Sequence, residues 1–110
     1  MFASAMLGWA NVAPAQPQRV VSMNLCTDQL AMMLAAPSQL LSVSFLASDP
    51  QASVMAEDAK SYEANYGRAE EIYLLDPDLV LAGSYTNPAT DDILRRLNVP
   101  VVVMEPARSI

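Results

Sequence analysis

Four short apolar runs, RVVSMN (19–24), LLSVSF (40–45), LVLA (79–82) and VVVM (101–104), recur along the chain with helix-length stretches between them. Runs that are apolar on successive residues are strands covered on both faces, and strands separated by helices pair in parallel. The first intervening stretch, about Thr27 to Ala36, carries Leu30, Met33 and Leu34 at i, i+3, i+4 and stops at Pro37, which predicts a helix. Ser48-Asp49-Pro50 supplies a cap and a first-turn proline for a short helix near 50–58. Lys60 to Gly67 is polar and reads as a surface loop.

RAEEIYLL (68–75) places Ala69, Ile72 and Leu75 on one face, with Glu70 and Glu71 in the first turn, and breaks at Asp76-Pro77-Asp78. Asn87-Pro88 opens the best-punctuated helix, with Asp91 and Asp92 early, Ile93, Leu94 and Leu97 on its apolar face and Arg95-Arg96 at its end. The order β-α-β-α-α-β-α-β predicts an α/β fold, a Rossmann-like three-layer lobe around a four-stranded, mainly parallel sheet.

In such sheets ligands lie outside the carboxyl ends of the strands. Four loops reach that end: Asn24 to Asp28, Phe45 to Asp49, Gly83 to Asn87 and Glu105 to Ser109. No GxGxxG, GxxxxGK[ST] or GxSxG occurs, so nucleotide cradles and the hydrolase elbow are missing. Ser22, Thr27, Ser44 and Ser84 have no histidine to act as base, because the chain contains none. Cys26 reads as a packed residue at the strand-to-helix turn, Asp28 as a first-turn acid, Met32-Met33 as core, and Glu70 and Glu71 as solvated acids. Tyr62, Tyr66 and Tyr85, as loop aromatics, are candidates for stacking on a flat ligand.

A lone cysteine and no histidine remove the usual zinc, copper and haem ligand sets, so no metal ligand and no cofactor are expected. Twelve acidic against six basic side chains, a net charge of −6 without a basic run, argue against nucleic acid. Residues 1–15, MFASAMLGWANVAPA, are uncharged and end in Ala13-Pro14-Ala15, which predicts an export signal and a periplasmic location. Residues 16–110 then form one lobe, expected to be truncated at its C-terminus.

The order RVVSMNLCTDQLAMMLAA, SVSFLASDP, AEEIYLLDPDLVLAGSYTN, LRRLNVPVVVMEPARSI resembles the periplasmic substrate-binding proteins of ABC importers for iron-siderophores and vitamin B12, over about residues 19–110. The helix-PDLV-strand and LxxLxVPV pairing is the most specific part. The resemblance implies the amino-terminal lobe of a two-lobed clamshell, non-enzymatic and monomeric, that binds a ferric siderophore or cobalamin and delivers it to an inner-membrane permease. It implies that Asn24, Leu25, Cys26, Thr27, Leu46, Ala47, Gly83, Ser84 and Tyr85 wall the cleft. Glu70, by its spacing from Pro77, would dock on permease arginines. Aromatic rings that some cobalamin binders carry are not matched at Leu46 or Gly83. The zinc and manganese binders of related type use histidines, so a chelated metal or corrinoid is expected over a bare ion. A small cytoplasmic flavodoxin-like enzyme or regulatory domain is the alternative.

Overall fold

The computed structural model describes residues 16–84 and 86–105, so the export signal and Tyr85 lie outside the described residues. The first apolar run forms β1 (Val20–Ser22) at the centre of a sheet, followed by α1 (Leu25–Leu34), β2 (Leu40–Ser44), a 3-10 turn (Phe45–Ser48) and α2 (Ala56–Ala59). Next come β3 (Glu63–Asn65), α3 (Ala69–Leu74), β4 (Leu79–Gly83), α4 (Pro88–Arg96) and β5 (Val101–Met104). The strands are all parallel, in the order β3-β2-β1-β4-β5. This is the Rossmann-type order, not the flavodoxin order 2-1-3-4-5.

Alternate residues of each strand face opposite layers, as the pleat requires. Val21, Met23, Val80 and Ala82 pack with Ile72 of α3 and Leu94 of α4. Val20, Leu79 and Leu81 face the other layer, with Leu25, Ala31 and Met32 of α1 and Ala35 at its C-cap. The two layers are the reason the strands read as continuous apolar runs.

The sheet has five strands where four were expected. The additional strand, β3, comes from the polar stretch read as a loop. It is an edge strand with Glu63 and Ala64 exposed, so it needs no apolar run; Ser42 pairs with Glu63, and the Ser42 hydroxyl donates to its carbonyl. The helix expected near 50–58 is confined to Ala56–Ala59. The Asp49 carboxylate accepts from the Gln51 N–H, so Ser48-Asp49-Pro50 makes a turn instead of a helix start.

The face of α1 is also rotated from the expected one. Ala31, Met32 and Ala35 pack on the sheet, while Leu30, Met33 and Leu34 are 43%, 62% and 80% exposed. Leu30 and Leu34, together with Pro17, Leu79, Leu81 and Met104, line an apolar trough of about 290 Å³ beside α1. Among the described residues, no helix is long and apolar enough to cross a membrane.

The break at Asp76-Pro77-Asp78 fastens the amino ends of β1 and β4 together. The Asp78 carboxylate accepts from the Gln18 and Arg19 N–H groups, both at 2.9 Å. Arg19 in turn donates to the carbonyls of Leu75 and Asp76 at 2.7 and 2.8 Å, satisfying the otherwise open end of α3. The residues at the opposite, carboxyl ends of the strands remain available for a site.

Candidate functional site

The carboxyl ends of β1 to β4 converge on a depression of about 270 Å³. Each strand delivers a short segment to it: Met23-Asn24-Leu25, Ser44-Phe45-Leu46, Asn65-Tyr66-Gly67 and, after β4, Thr86-Asn87. β1 sits between β2 and β4, and the helices that follow β1 and β4 lie on opposite faces, so the depression opens where the winding of the sheet reverses.

Asn24 anchors this point. Its side chain accepts from the Cys26 N–H at 2.9 Å and the Thr27 N–H at 3.3 Å, starting α1 two residues earlier than the periodicity predicts. The same side chain lies over Gly83, where an added Cβ would stand 2.1 Å from Asn24 Nδ2. Asn87 caps α4 in the same way, accepting from the Ala89 N–H, and Thr86 donates its hydroxyl to the Gly83 carbonyl.

The wall is aromatic. Phe45 and Tyr66 stack with centroids 5.1 Å apart and planes 21° apart, yet stay 47% and 61% exposed. Rigid backbone holds Tyr66: Glu71 accepts from the Tyr66 and Arg68 N–H groups, Asn65 accepts from the Gly67 N–H, and Thr90 donates to the Gly67 carbonyl. Gly67 has φ +73°, the left-handed conformation that favours glycine. Glu71 is therefore a loop anchor and not the solvated acid expected.

Behind the wall lies a buried polar network. Asn65 donates to the Ser22 carbonyl and the Ser42 hydroxyl, Ser22 and Thr27 share a hydroxyl hydrogen bond, and Asp28 accepts from the N–H and hydroxyl of Ser44. Burial pushes the Asp28 carboxyl above its ordinary value, against hydrogen bonds from Ser22 and Ser44 that pull it down. Asp28 is thus a fully buried acid, beyond the dipole role expected of it.

Of the residues expected to wall the cleft, Asn24, Leu25 and Leu46 line the depression. Thr27 turns inward to the Asn24 carbonyl, Ala47 is buried in the core, and Gly83 is buried behind Asn24. Cys26 and Ser84 are exposed outside the lining. Glu70 is exposed beside a second shallow hollow that shares Tyr66, Gly67 and Asn87 with the first. Tyr62 packs in the core next to α1. The sequence reading placed Phe45 at the start of a loop at the ligand end but named only Leu46 and Ala47 of that loop as wall residues; its position as the residue that leaves β2 is the signal that would have singled it out.

Among the lining residues none is Asp, Glu, Lys, Arg, His or Cys. The wall offers amides, hydroxyls and rings, which suit recognition. Among the described residues no group of three or more His, Cys, Asp or Glu side chains is placed to hold a metal.

Fold and site define a class: the chain is built like part of one lobe of the periplasmic substrate-binding proteins. It is similar to the solved structure of a periplasmic heme-binding protein from Pseudomonas aeruginosa, with TM-score 0.65 and 25% identity over 82% of this chain and 32% of that one. The periplasmic heme-binding protein RhuT from Roseiflexus sp. RS-1 gives TM-score 0.67 and 25% identity, covering 82% of this chain and 34% of its own. The periplasmic vitamin B12-binding protein BtuF of Vibrio cholerae gives 0.63 and 25%, covering 82% and 35%. The chain spans about a third of the length of each. No protein-family model and no curated protein matches the chain.

Proposed function

We propose that this chain forms one wall of a periplasmic, non-enzymatic receptor that binds a bulky metal chelate, a tetrapyrrole such as heme or cobalamin or else a ferric siderophore, and delivers it to an ABC permease. The observation that carries this reading is the exposed Phe45–Tyr66 stack at the strand ends, in a lining without a charged side chain. Flat apolar area with a few amides and hydroxyls suits a large, partly apolar ligand. The depression, at about 270 Å³, lies below the range of roughly 300–1,000 Å³ usual for enclosing a drug-sized ligand, which fits a single wall facing a second lobe.

Calorimetric titration with hemin, cyanocobalamin and a ferric siderophore tests the reading. Saturable binding to at least one probe, lost in a Phe45→Ala/Tyr66→Ala double variant, is the expected result. Binding of none of them, or binding indifferent to both substitutions, refutes it.

Glu70 fits the permease contact, being an exposed carboxylate near the rim that makes no ion pair among the described residues. Charge pairing across an interface sets encounter rate and register. Glu70→Lys in the transporting protein is expected to lower uptake and leave ligand affinity unchanged. Equal loss of both would remove the docking role.

A further inference from the structure

Phe45 and Tyr66 stand on different loops, and neither ring is buried enough for packing alone to fix it. Tyr66 is held by the Asn65 and Glu71 hydrogen bonds to its own turn. Phe45 is tied locally only on its far side, where the Ser48 hydroxyl donates to its carbonyl at 3.2 Å. It opens a 3-10 turn whose cap residue, Ser44, leaves its hydroxyl unused for capping. A serine in that position ordinarily caps the turn it precedes. Here the hydroxyl points inward to Asp28 Oδ2, while the Ser44 N–H donates to Asp28 Oδ1 at 3.1 Å.

We propose that Asp28 is a positioning residue for the ligand wall: by gripping Ser44 from beneath the sheet end, it sets the direction in which β2 releases Phe45 and so holds that ring against Tyr66. The burial of both partners supports this. Asp28 is 0% and Ser44 5% exposed, and Asp28 is absent from the lining of the depression, so it acts without touching what the wall contacts. A carboxylate so placed is costly as a stabilising device, and buried polar groups of this kind are retained in some proteins because they impose one arrangement. Asp28 also belongs to α1, whose first residue, Leu25, lines the same depression beside its cap Asn24, so one helix start fixes two segments of the wall.

The inference rests on reading the depression as a ligand wall, and its test is separable from that reading because the ring contact is read within the chain itself. In the full chain, NMR cross-peaks between the Phe45 and Tyr66 ring protons report the stack, and methyl cross-peaks among Ile72, Val80 and Leu94 report the core. Asp28→Ala is expected to abolish the ring cross-peaks and keep those of the core. Asp28→Asn is expected to restore them, since its carboxamide oxygen still accepts from the Ser44 N–H. Ring cross-peaks unchanged in Asp28→Ala would overturn the proposal. If Asp28→Ala also loses the core signals, Ser44→Ala decides: it deletes only the hydroxyl, and a weakened ring signal upholds the tether whereas an unchanged one overturns it. Where the chain binds hemin or cyanocobalamin, Asp28→Ala should weaken that binding about tenfold and Asp28→Asn much less. Failure of the wild-type chain to bind either probe counts against the ligand reading, and the ring cross-peaks alone decide the tether.

Discussion

Gly83 and Asn24 form a close-packed pair at the residue scale. Asn24 caps α1 and faces the depression, and it fits only because Gly83 has no side chain beneath it. Gly83→Ala is expected to displace the asparagine and cost about 1 kcal/mol, the usual loss of a helix cap, measured as a shift of the denaturant midpoint at constant slope. A midpoint equal to that of the wild type would show that the asparagine can move without loss. Asn24 was legible as a strand-to-helix turn, but its contact with Gly83 was not, because a contact across 59 positions has no local pattern. Phe45 was legible as the start of a loop at the ligand end but not as a wall ring, because the pattern that makes β2 a strand runs into it without a break. Buried Asp28 looked like any first-turn acid, since sequence position reports the dipole and says nothing of what closes over the side chain.

Among elements, α4 shows how far the sequence reaches. Asn87, Pro88 and the Arg95-Arg96 pair stand where capping and dipole rules place them, and the helix spans Pro88–Arg96. Of the expected apolar face, however, only Leu94 is buried: Ile93 and Leu97 are 46% and 43% exposed, and Thr90 and Asp91 turn inward instead. Asn87→Ala should therefore cost about 1 kcal/mol of stability, read in the same denaturation experiment. α3 is shorter and depends on a distant donor. Its open carbonyls are met by Arg19, which precedes β1, so Arg19→Lys, unable to bridge Leu75 and Asp76 with a planar fork, is expected to lose roughly 1 kcal/mol. β3 and the face of α1 were illegible at this scale. An edge strand is defined by its neighbour and not by its own composition. In α1 the apolar residues encircle the helix, so periodicity could not decide which side meets the sheet.

At the scale of the whole molecule, three carboxylates set the pH dependence. Backbone N–H groups of Gln18 and Arg19 hold Asp78 below its ordinary value of 3.8, so its stabilisation is present above that pH and is lost as pH falls through the lowered value. Asp28 and Asp91 are shifted the other way by burial, Asp91 with opposition from Arg95 and reinforcement from Asp92. The folded chain takes up their protons more readily than the unfolded chain, so stability rises as pH falls from neutral through their raised values. Denaturant midpoints recorded between about pH 3 and pH 7 should pass through a maximum on the acidic side and decline below it. Asp28→Asn should flatten the neutral side of that curve; an unaltered curve would mean that Asp28 does not titrate in this window.

The trough beside α1 bears on how the chain behaves in a test tube. Aliphatic area of that kind, open among the described residues, favours adhesion to any greasy surface the chain meets. A hydrophobic-interaction resin should retain the wild-type chain longer than Leu34→Lys, and colloidal behaviour, more than the free energy of unfolding, will then set the concentration at which it can be handled.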